Sequence, residues 1–387
     1  MTLGVAQYAC GDSRESLPGR ADANLYSRQG DDPQLCRGEA GTGRGATPED
    51  TAAPVGLRVK DGRVDRLRVG VLRHIPIMSA TSESGRSGSQ RRGLLPGERL
   101  RALNRRTDRQ GLLQCLRHAG LIAATAALVH AAAGGWWLVP TLLLHGIALT
   151  ALFAPLHEGS HRTVFHSRWP NRAIAWTAGL ALMLPPTWFR HFHLAHHRHT
   201  QDHDLDPELI EPKPTTMVQY LWVATGLPFW RSALANLARL AAGRLDGMDY
   251  VPARERDTVV REARIVVTLY AVLAAGALAF SAGTAVLLYW LVPMLLGQPF
   301  LRLYLLAEHT GCPETADGLT NTRTTLCSAP VRWLMWNMPY HAEHHLYPSV
   351  PFHALPALHR DVREHLGVVA PGYPAAHRSI RSQFVRD

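Results

Sequence analysis

Three clusters of histidine, each beside an apolar stretch long enough to approach the width of a bilayer, restrict this chain more than any other feature. They read HEGSH (His157, His161), HLAHH (His193, His196, His197) and HAEHH (His341, His344, His345). Spacings of i, i+3 and i+4 place side chains on one face of a helix, so each cluster predicts a helical patch of imidazoles. Eight imidazoles converging on one volume exceed what a single metal ion accepts, and the arithmetic points to two ions. The chain holds 21 histidines, and the others fall outside the repeat. His74, His118, His130, His145, His353, His359, His365 and His377 show no grouping, and His166, His191, His199 and His203 flank the boxes off the repeated spacing. Two copies of HxxHH about 150 residues apart, with one HxxxH, set the eight apart.

The mean hydropathy of −0.08 pools two unlike halves. Residues 1–110 are rich in Gly, Arg, Ser, Asp and Thr, whereas 111–310 are strongly apolar. The 5 cysteines form no CxxC pair, which argues against disulfide staples, structural zinc knuckles and a fused rubredoxin-like or iron–sulfur module. The formal charge of +10 comes almost wholly from arginine. No aromatic-interleaved basic helix or nucleic-acid motif accompanies it, so the charge is assigned to anionic lipid and membrane orientation and no nucleic-acid partner is expected.

Four apolar runs predict an all-α integral membrane protein with four transmembrane helices in two hairpins. Ala119 to Ala133 leads through Gly134-Gly135 to Trp136–Leu156, which ends at the first box. Ile265 to Phe280 turns at Ser281-Ala282-Gly283 and returns as Thr284–Ala307. Each run is near the ~20 residues that span the hydrocarbon core. Both turns lack Lys and Arg while the opposite ends are dense in arginine, so both termini and every histidine box are expected on the cytoplasmic side of a bacterial inner membrane. Segments 173–188 and 217–240 carry Pro185-Pro186, Pro228 and scattered arginines and predict interfacial helices. Residues 311–387 are expected to form a cytoplasmic helical cap.

Three regions follow: a disordered Arg/Gly/Ser-rich segment over 1–110, a membrane domain over 111–367, and a tail over 368–387. Residues 1–77 lack both sustained apolar periodicity and a signal peptide, and Met78 opens a second plausible amino terminus, MSATSESGRSGSQRRG. Translation from Met78, with 1–77 an artefact of the assigned start, is the expectation.

Imidazole suits iron, zinc, copper and nickel, so the ligands alone do not choose the metal. His309, in AEHTG at the end of the fourth run, is a candidate ninth ligand, with an ordinary interfacial histidine as the alternative. Ligating histidines usually give their second ring proton to a carboxylate or carbonyl. Asp206, in DLDPEL, is the candidate for that role, with Asn337 and Glu343 behind it; Glu158 and Glu343 point partly away from the ligand face by helical phase, leaving a supporting or a surface role open.

FRHFHLAHHRHTQDHDLDPEL (189–209) and NMPYHAEHHLYPSVPFHALPALH (337–359) resemble the second and third histidine boxes of integral-membrane fatty acid desaturases, and HEGSH resembles their first. The likeness spans roughly residues 112–365. It implies a di-iron centre that activates O2 and removes hydrogen from an unactivated C–H bond of a lipid chain. Carried over residue by residue, the ligands would be His157, His161, His193, His196, His197, His309, His341, His344 and His345. In some desaturases an asparagine four positions before the His309 equivalent contacts one iron through water; Leu305 stands here, so that contact is not carried over. No HPGG motif of a fused cytochrome b5 is present, so a separate ferredoxin, rubredoxin or cytochrome is expected to supply electrons on the arginine-rich face. The likeness favours desaturation of a fatty acyl chain over its rival in the same superfamily, a lipid or carotenoid hydroxylase or ketolase. A membrane metal transporter or metal-binding protein would instead place grouped histidines along the spans, where only His130 and His145 stand, each alone.

Overall fold

The computed structural model describes residues 93–384. A short helix, α1 (Gly97–Leu103), precedes the first long one, α2 (Asp108–Ala131). The second span is built from α3 (Leu138–Thr150) and α4 (Phe153–His161), offset at Ala151-Leu152. Then come α5 (Arg168–Ala181), α6 (Pro186–His199), α7 (Met217–Ala224) and α8 (Leu227–Ala241). The second hairpin consists of α9 (Ala253–Ala279) and a fourth span made of α10 (Gly283–Val286), a π-helical turn over Leu287–Leu291, and α11 (Val292–His309). The remainder is α12 (Ala329–Leu334), α13 (His341–Leu346), α14 (Leu355–Val362) and α15 (Tyr373–Arg381). Strand character among the described residues is confined to the parallel pairs Thr324–Val369 and Thr325–Ala370.

Four helical units, Asp108–Ala131, Leu138–His161, Ala253–Ala279 and Gly283–His309, are long and apolar enough to cross a membrane. The first and third begin well before the apolar runs that announce them. Thr107 caps α2 by accepting a hydrogen bond from Gln110 N at 3.3 Å, and the helix then carries polar residues for three turns before its apolar stretch. Helix formation depends on backbone satisfaction and capping, so it outruns the hydropathy signal.

The second and fourth spans cross at Gly146 and Gly297. A Cβ on Gly146 would lie 2.0 Å from the Pro293 carbonyl oxygen, and one on Gly297 would lie 2.2 Å from that of Gly146, so the backbones touch. Pro293 has no N–H to offer the Tyr289 carbonyl four residues back. His145 Nε2 lies 3.1 Å from that oxygen and 2.8 Å separates His145 Nδ1 from Thr125 Oγ1, which joins three spans through a buried polar group. His118 likewise bonds Ala148 O at 3.0 Å and the Trp336 indole at 3.1 Å. These ungrouped histidines are cross-links.

Segment 173–188 is not one interfacial helix. Met183 adopts φ 61 after α5, and Pro185 and Pro186 start α6, so the second box rides on its own helix. Segment 217–240 is divided at Gly226, whose φ of 75 and 2.6 Å clearance from Gln298 Cβ admit no side chain. Helical structure also extends into both flanks assigned to disorder or tail. α1 and the start of α2 fall before residue 111, and α15 buries Ala376 and Ile380. Residues 1–77 and Met78, and with them the expected translation start, lie outside the described residues.

Candidate metal centre

The helix carrying the second box is fixed at its start by the third span. Glu262 of α9, buried, accepts from Thr187 N at 2.9 Å and from Thr187 Oγ1 at 2.8 Å, satisfying free donors at the first turn of α6. The end of the fourth span is held by Arg323, buried, whose guanidinium donates to Ala307 O at 2.6 Å and Thr310 O at 3.0 Å on either side of His309. The third box lies on α13, where Glu343 bonds the Thr324 hydroxyl and His359.

These supports bring nine imidazoles together as two groups. His157, His161, His193, His197 and His344 form one, and His196, His309, His341 and His345 the other; within each group the ligand nitrogens lie within 4.8 Å of one another. Helical phase divides the boxes. In HLAHH the i, i+4 pair His193/His197 joins the five-histidine group and His196 faces the other. In HAEHH the pair His341/His345 joins the four-histidine group and His344 crosses to the first. The two groups adjoin, with the His197 and His345 rings stacked at 4.0 Å.

The rings face inward through Nε2. His161 and His193 Nε2 are 2.8 Å apart, His193 and His197 3.0 Å, His344 and His197 3.1 Å, and His344 and His161 3.2 Å. In the second group His196 and His309 Nε2 are 3.1 Å apart, and His309 and His341 3.0 Å. The Nε2 atoms of His157 and His345 are buried without any hydrogen-bond partner. Rings of this kind cannot all donate to one another, but they suit a cation. With metal–nitrogen bonds of about 2.1 Å, imidazoles at right angles about an ion have their nitrogens about 3.0 Å apart. The donor set therefore fits two metal ions.

The outward nitrogens are held unequally. His196 Nδ1 meets Asp206 Oδ1 at 3.0 Å, and Glu208 stands 3.6 Å away. His309 Nδ1 lies 3.4 Å from Asn321 O and His345 Nδ1 3.2 Å from Thr200 Oγ1, while His341 Nδ1 comes within 3.4 Å of Glu308 Oε1 without a hydrogen bond between them. In the five-histidine group, Nδ1 of His157, His197 and His344 is buried with no such partner, and Glu158 Oε1 stays 4.0 Å from His157. Burial, followed by the neighbouring imidazoles, lowers the pKa of His193, His197, His341 and His345, and that of His344 to about 3, so these rings are neutral and free to ligate. His196 goes the other way. Burial opposes its charged form, but Glu208 and then Asp206 outweigh it and raise its pKa.

Asp206 thus stands behind a candidate ligand. Asn337 does not reach a ring: it donates to Phe352 O at 3.1 Å, at φ 59. Glu343 touches cap residues, and Glu158 accepts from Thr163 Oγ1 at 2.7 Å and Phe352 N at 3.3 Å. Glu308 was legible only as an acid beside His309, while Thr200, Asn321 and Arg323 carried no sequence signal of their role.

A cavity of about 560 Å³ opens beside both groups, bordered by His157, His193, His196, His309 and His341. Phe153, Leu184, Trp188, Phe189, Leu305 and Leu306 give it apolar walls.

The sequence profile described as fatty acid desaturase matches residues 134–379. The chain is 28% identical over 254 residues to an sn-1 oleoyl-lipid 12-desaturase of Synechocystis sp., covering 60% of this chain and 70% of the relative. It is 28% identical over 240 residues to a sphingolipid delta(4)-desaturase of Drosophila melanogaster, covering 59% and 67%. A dihydrorhizobitoxine desaturase of Bradyrhizobium elkanii is 26% identical over 272 residues, covering 65% and 74%. With four membrane-crossing helices and a histidine-built site, the chain belongs to the fatty acid desaturase family and is a membrane oxidoreductase of the desaturase type.

Proposed function

We propose that this protein is an O2-dependent di-iron lipid desaturase that introduces a double bond into a fatty acyl chain, using electrons from a separate carrier. The observation that carries this is the meeting of two adjacent imidazole groups with an apolar-walled cavity. The nine histidines His157, His161, His193, His196, His197, His309, His341, His344 and His345 would hold the two ions. Iron bound there would supply the oxidising power to take two hydrogens from neighbouring carbons, with O2 reduced to two waters by those hydrogens together with two electrons from the carrier and two protons from solvent.

The protein's own contribution is orientation and exclusion. Asp206 fixes His196 through Nδ1, and that ring's Nε2 is thereby left free to face the ion. Glu308, at 3.4 Å from His341 Nδ1, stands where it can do the same. Phe153 and Phe189, edge to face at 5.8 Å, close the cavity wall against His157 and His193, so an acyl chain there lies against the centre in apolar surroundings. Lys213, Asn236 and Arg239 also line the cavity, and such side chains suit a polar head group.

The distribution of arginine supports a bacterial inner-membrane protein with the histidine centre on the cytoplasmic face, where a ferredoxin, rubredoxin or cytochrome could dock. Expression in a host lacking desaturases, followed by lipid analysis, tests the proposal. New double bonds that disappear in His344→Ala are expected. Hydroxylated lipids in their place, or full activity in that variant, would refute it.

A further inference from the structure

A second concave site lies away from the histidine cavity. It is a groove of about 710 Å³ between the first turns of α2 and the cap helices, lined by Arg109, Arg117, Arg332 and Arg360 with Trp333 and His353, and among the described residues no acidic one lines it. The groove walls are tied together: Gln114 of α2 donates to Trp333 O at 2.9 Å. The arginine ion pairs among the described residues involve other side chains, Arg99 with Asp361 and Arg256 with Asp249. Four guanidinium groups therefore share a concave surface with no carboxylate to balance them. Such a surface focuses positive potential and is relieved by an anion. His353 adds a buried Nε2 without a hydrogen-bond partner.

Depth decides which anion. The apolar run of this span begins only at Ala119, so the preceding turns of Asp108–Ala131, which carry Arg109 and Arg117, stand at head-group level. Helical side chains lean toward the amino terminus, which returns the Arg117 guanidinium to that level. Trp333 belongs at the same interface. A soluble acidic protein would have to enter the head-group layer to fill a groove walled by a membrane span, whereas a lipid is already there. We propose that this groove binds the phosphate of an anionic phospholipid from the cytoplasmic leaflet.

The groove is coupled to the histidine boxes. Asn337, in its wall, donates to Phe352 O, and Phe352 N donates to Glu158 inside the first box. Tyr340, also in the wall, immediately precedes His341. A lipid seated there would brace the cap against the first and third boxes without touching the acyl cavity.

Native mass spectrometry of the purified full chain in micelles, titrated with dioleoylphosphatidylglycerol, dioleoylphosphatidylcholine or inorganic phosphate, tests this without reference to catalysis. One retained phosphatidylglycerol per chain, little phosphatidylcholine and no comparable binding of phosphate are expected. Each lost guanidinium is expected to weaken retention about fivefold, and Arg117→Gln with Arg360→Gln about thirtyfold. Arg101→Gln, outside the groove, is expected to bind as wild type does. If the double variant fails to fold, Arg360→Gln alone must still show the fivefold loss. Equal retention by wild type and variant, or phosphate binding as tightly as the lipid, would overturn the proposal.

Discussion

The two histidine groups differ in what stands behind them. The four-histidine group has a partner near the outer nitrogen of every ring: Asp206 and Glu208 for His196, Glu308 for His341, Asn321 for His309 and Thr200 for His345. The five-histidine group has one ring more, yet His157, His197 and His344 bury Nδ1 with nothing to bond. Three rings of one group are thus oriented by hydrogen bonds to their surroundings, with a carboxylate close to the fourth, whereas the other group relies on packing and on the number of rings. A carboxylate behind an imidazole raises its basicity and fixes its tautomer, so the groups are expected to hold metal differently and to respond differently to mutation.

The largest effect is expected from removing a ring from the group that has no such support. His344→Ala takes away a side chain whose Nε2 faces both His161 and His197. Desaturation is expected to fall to background, with iron dropping to about one ion per chain while membrane insertion is retained. Metal analysis of the purified variant checks this, and two ions per chain would break the division into groups. Next is Asp206→Asn, which keeps the shape but weakens the acceptor behind His196. A 10–100-fold loss of affinity at one of the two sites is the expected size. Iron titration should then show one tight and one weakened site, and uniform weakening of both would contradict the asymmetry.

A smaller effect is expected for Glu343→Gln, because that carboxylate bonds Thr324 and His359 and not a candidate ligand. Iron content is expected to stay at wild type while thermal stability falls by a few degrees, about the loss of one buried hydrogen bond. Asn337→Gly is expected to change least: glycine accepts φ 59, and only the bond to Phe352 O is lost. Loss of iron from either variant would show that the cap, not the ring nitrogens, governs the centre.

How much of this was legible in the sequence follows from the range of each interaction. The boxes, the two hairpins and His309 rest on local spacing and local hydropathy, and both survive in a linear reading. So does Asp206, ten residues after His196 in the connection that follows α6. The partition of the rings was also present, since an i, i+4 pair and its i+3 neighbour point in different directions, but the spacing read only as one face. The roles of Thr200, Asn321 and Arg323 were not legible, because each depends on a contact made by the folded cap. Asn337 looked apt by its nearness to His341, but a left-handed turn at Trp336 and Asn337 aims it elsewhere. The early starts of α2 and α9 escaped because polar helical turns leave no mark in hydropathy. The arginine groove escaped because its lining comes from three separate stretches of chain.

The most direct test of the central claim is the iron content and X-ray absorption spectrum of the purified protein, alone and with His309→Ala, His344→Ala or both. Two iron ions per chain, ligated by imidazole nitrogen at about 2.1 Å, one ion in each single variant and none in the double variant are predicted. Iron that is absent from the wild type, or that persists when both rings are gone, would contradict a centre built from these two groups.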